Sequence, residues 1–115
     1  LIYGPPIRLP ERRPVAMEEL ARLLAAMAAR QRAFQASGGC HGAGLASESG
    51  ELLAVFEDVG RHNAVDKTVG ALLMADRLSD AAILLVSGRV SYEIVAKAYR
   101  AAVPVIAAVS APSSM

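Results

Sequence analysis

Ala82 to Val86 reads AILLV, a continuous apolar run in the second half of the chain. A strand with one solvated face alternates apolar and polar residues, so an unbroken run indicates a strand buried on both faces of a sheet. Pro104 to Val109 (PVIAAV) has the same character, and Ser91–Ala102 between the two runs has a helical pattern. A strand, a helix and a second strand in this order predict a right-handed parallel crossover and an α/β fold.

The residues before this unit predict a further helix and a hairpin. Apolar residues at helical spacing form a stripe of Val65, Val69, Leu72, Leu73 and Leu78, which favours a helix with Asn63 as its N-cap. Leu52 to Phe56 predicts a strand, His41 to Ser47 a weaker strand, and the Gly-containing turn between them a hairpin. The strands predicted at Leu52–Phe56, Ala82–Val86 and Pro104–Val109 are joined through helices and are expected to run parallel to one another.

The remaining residues are expected to complete one domain with helices on both faces of its sheet. Ala16 to Phe34 is amphipathic and predicts a first helix, which Ser37-Gly38-Gly39 ends. Residues 1–14 hold four prolines and are interpreted as an extended lead-in, followed by a single domain over residues 15–115. The polar segment Ser110 to Met115 follows a strand and leads to no further element, so we expect the domain to continue C-terminally. We also expect residues to be missing before Leu1.

Composition excludes several classes of protein. A length of 115 residues fits one domain, and 12 basic against 11 acidic side chains give a net charge of +1. This balance gives no electrostatic reason to expect a nucleic acid or an anionic membrane as partner. No apolar run approaches the roughly 20 residues of a spanning helix. The one cysteine, Cys40, excludes an internal disulfide and a zinc site built on thiolates. A cytoplasmic location is the expectation.

Polar residues collect where the predicted parallel strands end. In open α/β sheets, ligands bind beyond the carboxyl ends of the strands. The second strand is followed by EDVGRHNAVDK (residues 57–67), the third by SGRVSYE (87–93) and the fourth by SAPS (110–113), so one binding rim is predicted. Its candidate binding residues are Glu57, Asp58, Arg61, His62, Asn63, Asp66, Ser87, Gly88, Arg89, Ser91 and Ser110.

Arg61 and Arg89 stand just ahead of predicted helix N-termini. An arginine fork beside free backbone N–H groups suits phosphate, so these two are the candidates for an anion. The alternative is a structural ion-pair network in which the two arginines pair with Glu57, Asp58 or Glu93.

Further side chains of the rim have candidate roles toward a nucleotide. Ser87 and Ser91 would add hydroxyl contacts, and Glu57 or Asp58 would accept hydrogen bonds from ribose or base. His62 would respond to the ligand's charge, because a nearby phosphate favours its protonated form.

The run GGCHGAG (residues 38–44) is weak as a phosphate loop, because it enters a predicted strand instead of leaving one. Cys40 and His41 do not form a catalytic pair, since consecutive strand residues point to opposite faces. The glycines are therefore interpreted as structural, allowing close backbone approach. His41 faces either the rim or the core. No ligand pair has recognised metal spacing, and no metal site is predicted.

The element order is also that of zinc-dependent nucleoside deaminases. Their chemistry needs H-x-E at one helix start and P-C-x-x-C at the next. The corresponding segments here are His62-Asn63-Ala64 and SGRVS (residues 87–91), which lack the thiolates. Zinc deamination is therefore excluded, whereas a deaminase-like scaffold is not.

Four ordered motifs resemble the FdhD family, the formate dehydrogenase accessory sulfurtransferases. They are Phe34-Gln35 with Ser37-Gly38-Gly39-Cys40-His41, then EDVGRHNAVDK, SGRVSYE and SAPS at the positions given above. The resemblance implies a cytidine-deaminase-like, three-layer sandwich with a mixed sheet and no zinc site. It also implies that a cysteine desulfurase supplies sulfur as a persulfide, which passes to the bis-guanine-dinucleotide molybdenum cofactor for formate dehydrogenase. Homodimers and binding of a GDP-like nucleotide are implied as well.

The chain departs from the family pattern in one respect that matters for chemistry. The family's persulfide cysteine lies in a C-G-x-C-G loop upstream, which these residues do not contain, and Cys40 stands at a variable position. No catalytic residue is therefore expected in this chain, which resembles the family's cofactor-binding core. Two alternatives stay open: a non-catalytic nucleotide-binding or dimerisation module, and a small-molecule enzyme that uses His62 and Asp66 for acid–base work.

Overall fold

A computed structural model describes residues 15–31 and 41–109. Its helices are α1 (Met17–Arg30), α2 (Arg61–Met74) and α3 (Tyr92–Arg100), with a short 3-10 turn at Leu78–Asp80. Its strands are β1 (His41–Ser47), β2 (Leu52–Asp58), β3 (Ala81–Ser87) and β4 (Val105–Val109). The predicted lead-in, the end of the predicted first helix and Ser110 lie outside the described residues.

The four strands form one mixed sheet in the order β2-β1-β3-β4. Strand β1 is antiparallel to both of its neighbours, whereas β3 and β4 are parallel. Strands β2, β3 and β4 therefore point the same way, as the helical connections predict, and β1 is inserted between the first two. Their carboxyl ends share one edge of the sheet, and the start of β1 lies at that edge too.

Helices cover both faces of this sheet. Leu23 and Met27 of α1 pack on one face together with Ile83 and Leu85. On the other face, residues of α2 and α3 pack against Leu84 and Val86 of β3. Every residue from 81 to 86 is buried, which explains the continuous apolar run of β3. The α/β class, the mixed sheet and the three layers are confirmed.

Glycines let α1 approach β1 closely. A Cβ on Gly44 would lie 3.2 Å from the Met27 sulfur and 3.3 Å from the Ala54 carbonyl oxygen, both tighter than ordinary contact. The Gln31 side-chain amide occupies the space that a Cβ on Gly42 would need. These contacts support the structural interpretation of Gly42 and Gly44, whereas Gly38, Gly39 and Cys40 lie outside the described residues.

Both ends of α2 differ from the sequence prediction, whereas the other elements differ from their predicted bounds by at most two residues where the structure describes them. Helix α2 begins at Arg61 with Gly60 as N-cap, not at Asn63, because the Asn63 amide is turned back toward the Asp58 carboxylate at 3.4 Å. The helix also ends at Met74, so Leu78 lies in the 3-10 turn. Asp76, with φ of 57°, is the left-handed residue that separates the two.

Candidate functional site

The described part of the predicted rim consists of the carboxyl ends of β2 and β3, the start of β1 and the first turns of α2 and α3. Strand pairing places His41 opposite Asp58 and Gly42 opposite Glu57. The Gly42 N–H donates to the Ser87 hydroxyl at 2.8 Å, which ties the start of β1 to the end of β3. The structure therefore brings the predicted segments 57–63 and 87–91 to one edge.

Asp58 is the most heavily hydrogen-bonded side chain of this rim. Its Oδ2 lies 2.7 Å from the Lys67 Nζ, and its Oδ1 accepts from the Gly60 N–H at 2.9 Å and the Asn63 Nδ2 at 3.4 Å. The bond from Lys67, followed by that from Gly60, lowers the pKa of Asp58 from 3.8 to about 2. Both carboxylate oxygens already have protein donors, so the predicted contact with a ribose or base would compete with them.

Glu57 is held at both its backbone and its side chain. Its carbonyl accepts a hydrogen bond from the Lys67 Nζ at 3.2 Å, and its carboxylate accepts one from the Gln31 Nε2 at 3.5 Å. Gln31 comes from the end of α1 on the opposite face of the sheet, so this contact links α1 to the rim.

The N-terminus of α2 lacks a side-chain cap. Gly60 supplies no capping atom, and no acidic residue stands in the first turn. The first intrahelical bond runs from the Ala64 N–H to the Gly60 carbonyl, so the N–H groups of Arg61, His62 and Asn63 have no acceptor within the helix. These donors and the helix dipole favour an anion at this position.

The N-terminus of α3, by contrast, is already occupied. The Ser91 hydroxyl accepts from the Ile94 N–H at 3.3 Å as the N-cap. Hydrogen bonds from the backbone N–H of Glu93 itself and from Ser91 lower the pKa of the Glu93 carboxyl, and the charge of His62 acts in the same direction. Ser91 therefore acts as the N-cap of α3, whereas α2 has no side-chain cap, so of the two helix starts α2 offers the more open position for an anion.

Gly88 shapes the loop after β3. Its φ of +96° lies in the left-handed region that favours glycine, and a Cβ there would lie 3.5 Å from the His41 Nδ1. The ring of His41 thus lies beside Gly88 at the rim, and the hydroxyl of Ser87 is engaged with the Gly42 backbone. Ser87 and Gly88 therefore hold the rim together.

Arg61 is half-buried and Arg89 is exposed. The ion pairs among the described residues are Arg22–Glu19, Lys67–Asp58, Arg77–Asp80 and Lys97–Asp66. Neither arginine of the rim takes part in one of them. Within residues 15–31 and 41–109, the alternative network that pairs these arginines with Glu57, Asp58 or Glu93 is therefore not formed.

Asp66 forms an ion pair with α3. Its Oδ1 lies 2.8 Å from the Lys97 Nζ, a contact that joins α2 to α3. The Asp66 side chain is 57% exposed, so this surface ion pair contributes little free energy, and an acid–base role for Asp66 together with His62 would compete with it.

Two kinds of feature are absent from the part of the chain that the structure describes. No group of three or more His, Cys, Asp and Glu side chains is placed to hold a metal ion there. Of the helices in those residues, none has both the length and the apolar character to cross a bilayer.

Lys67 has no role in the sequence prediction, although it stands four residues after Asn63 and so shares its helix face. That spacing, together with the acidic residue that precedes the helix, is the signal that could have identified it. Gln31 has no such signal, because its contact with Glu57 crosses 26 residues of sequence.

The fold and the rim together define an α/β domain with polar side chains collected at the carboxyl ends of its strands. The profile of the FdhD/NarQ family matches residues 5–115. The chain is 54% identical over 112 residues to the sulfur carrier protein FdhD of Streptomyces coelicolor, covering 96% of this chain and 38% of that protein. The chain belongs to the FdhD/NarQ family, and the resemblance seen in its motifs is confirmed.

More distant relatives agree with this placement. The sulfur carrier protein FdhD of Saccharolobus solfataricus is 51% identical over 87 residues, or 75% of this chain and 34% of that protein. A crystal structure of a protein assigned to formate dehydrogenase accessory function, from Desulfotalea psychrophila, superposes with a TM-score of 0.78 at 29% identity. That match covers 95% of this chain and 46% of the other. The chain thus spans about two fifths of the length of the curated relatives it matches.

Proposed function

We propose that this chain is the nucleotide-binding part of an FdhD sulfur carrier, and that it holds a guanine nucleotide portion of the bis-guanine-dinucleotide molybdenum cofactor. The observation that carries the proposal is the uncapped start of α2, where half-buried Arg61 forms no ion pair with the described residues. A diphosphate placed there would accept hydrogen bonds from backbone N–H groups and from the guanidinium of Arg61. Arg89, on the loop after β3, would supply a second guanidinium.

The wider reaction follows from the family. A cysteine desulfurase would supply persulfide sulfur, the cofactor would receive it, and formate dehydrogenase would take up the sulfurated cofactor. No residue of this chain is given the sulfur-carrying role, and no zinc is invoked. Its part is to hold the acceptor still, which favours transfer by fixing the distance between the reacting groups. We place this chemistry in the cytoplasm, with neither nucleic acid nor membrane as partner.

The test is calorimetric titration of GDP into the full-length protein at fixed salt. Each charge-assisted partner removed costs about 1.5–3 kcal/mol, so Arg61→Ala and Arg89→Ala should each weaken binding about ten- to a hundredfold. Arg22→Ala is the matched control, because Arg22 is exposed on α1 and pairs only loosely with Glu19 at 3.8 Å. Unchanged affinity in both rim variants would overturn the proposed site.

A homodimer is the second part of the proposal, since the family resemblance implies one. Leu73 is 64% exposed and Met74 is 91% exposed on α2, beside a groove of about 470 Å³ between α2 and α3. Exposed apolar side chains of this size favour a protein contact. Sedimentation should show a dimer that Leu73→Asp converts to a monomer, and a monomeric parent protein at tens of micromolar would contradict this part of the proposal.

A further inference from the structure

The turn between β2 and α2 is held by a single carboxylate. Donors from three residues of the following turn and helix converge on Asp58: the Gly60 N–H at 2.9 Å, the Asn63 amide at 3.4 Å and the Lys67 ammonium at 2.7 Å. Gly60 is the N-cap of α2, and the other two residues lie in its first two turns. The side chain of Asp58 is only 17% exposed.

We infer that Asp58 is a positioning residue that fixes the start of α2 toward the ligand's phosphates and does not itself contact the ribose or the base. The inference rests on the proposed function, since it concerns the same anion site. It replaces the role that the sequence suggests for Asp58 as an acceptor from the nucleotide.

The geometry supports positioning because the contacts fix α2 in more than one direction. The bond from Gly60 sets the backbone of the N-cap at 2.9 Å, and the Asn63 amide adds a longer contact of 3.4 Å from the first turn. Lys67 reaches the Asp58 carboxylate and the Glu57 carbonyl together, at 2.7 Å and 3.2 Å, so it ties the second turn to the end of β2. A shift of α2 along the sheet would break all of these contacts.

The charges agree with this role. A carboxylate beside a phosphate site would repel the ligand, but the ammonium of Lys67 neutralises Asp58 at close range. The hydrogen bonds from Lys67 and Gly60 also lower the pKa of Asp58 to about 2, so its contacts persist into acid solution.

A pair of substitutions separates positioning from electrostatics. Asp58→Asn and Asp58→Ala remove the same negative charge, but the Asn side chain keeps an oxygen that can accept from the Gly60 N–H. The ratio of their affinities for the ligand therefore measures how much the hydrogen bond to the Gly60 N–H contributes to binding. Inorganic pyrophosphate is the second probe, because it has the phosphates of GDP without the ribose and the base.

The full-length protein is titrated with GDP and with pyrophosphate, and folding of each variant is checked by circular dichroism. We expect Asp58→Ala to bind both ligands about tenfold more weakly than Asp58→Asn, by the same factor for each. Asp80→Asn and Asp80→Ala are the matched control pair, because Asp80 pairs with Arg77 at 3.2 Å before β3 begins, at the opposite edge of the sheet. The two control variants should bind alike.

The outcomes are distinct. Equal affinity of Asp58→Asn and Asp58→Ala would overturn the inference, and loss confined to GDP would show that Asp58 contacts the ribose or base. Parent protein that binds neither probe would overturn the proposed function and, with it, the role of Asp58 toward a ligand. Hydrogen exchange of the Gly60 amide measures the stability of the β2–α2 turn without any ligand. This amide should lose protection in Asp58→Ala and keep most of it in Asp58→Asn. Equal protection in both variants would contradict the inference.

Discussion

Gly60→Ser places a capping hydroxyl on the one helix start of the rim that lacks a side-chain cap. The substitution fits sterically, because Gly60 has φ of −104° and a Cβ there would lie 3.4 Å from the Asn63 Nδ2, an ordinary contact. The Gly60 N–H keeps its bond to Asp58, since the change does not involve the backbone donor. The new hydroxyl can accept from the N–H of His62 or Asn63.

The expected effects on stability and on binding have opposite signs. A serine N-cap is a few tenths of a kcal/mol better than glycine, and loss of glycine's freedom in the unfolded chain adds about 0.4–1 kcal/mol. The free energy of unfolding should therefore rise by about 0.5–1.5 kcal/mol. The hydroxyl occupies a donor that the phosphate would use, so the affinity for GDP should fall about three- to tenfold.

Urea unfolding and calorimetric titration of the same samples measure the two effects. Gly70→Ser is the matched control: Gly70 lies within α2, no atom comes within 4 Å of the position that a Cβ would take there, and serine gains helix propensity without adding a cap. Because Gly70 lines the groove between α2 and α3, sedimentation must show the same oligomeric state for this variant and the parent protein. The control should be stabilised and should bind GDP like the parent protein. A Gly60→Ser variant that is more stable yet binds GDP unchanged would refute the placement of phosphate at the start of α2.

Three further changes test other parts of the structure. Thr68→Val should lower the free energy of unfolding by about 1 kcal/mol, because the fully buried hydroxyl donates to the Ala64 and Ala43 carbonyls at 2.7 and 3.1 Å; urea unfolding beside Thr68→Ser checks this, and a stabilised Val variant would contradict it. Gly44→Ala should cost about 1–3 kcal/mol by overpacking against Met27, and an unchanged melting temperature would show that α1 yields freely. The pKa of Asp58 is lowered on folding from 3.8 to about 2, so its contribution to stability is present above pH 4 and is lost as pH falls toward 2. Asp58→Asn should therefore flatten the acid side of the stability profile between these values, and an unchanged slope would contradict the shift.

The layers of the fold were predictable because they follow from local pattern. The run AILLV needs two covered faces, and the structure buries every residue from 81 to 86 between α1 and the other two helices. The parallel direction of β2, β3 and β4 follows from the helices that join them. The insertion of β1 between β2 and β3 did not follow from pattern, since pairing across the sheet depends on contacts far apart in sequence.

The sequence predicted which segments form the rim, but it did not predict the contacts between their side chains. Strand ends and helix starts located the segments 57–63 and 87–91, but the partners of individual charges are set by tertiary geometry. Asp66 pairs with Lys97, 31 residues away, a partner that its sequence position does not suggest. Asn63 is suited to an N-cap by residue type, but the nearby Asp58 carboxylate draws its amide away from that role.

The difference between the two helix starts of the rim links the fold to the proposed function. Helix α3 caps its own N-terminus with Ser91, and Glu93 adds a negative charge in its first turn, so that end is less favourable for a further anion than the start of α2. Helix α2 has the same position relative to the sheet but keeps its first N–H groups without a side-chain acceptor, at some cost in stability. Asp58 offsets part of that cost by holding the turn from outside the helix, through the Gly60 N–H and the side chain of Lys67. An N-terminus that is rigidly held yet uncapped is preorganised for an exogenous anion, because binding then requires neither the displacement of a cap nor the ordering of a loop.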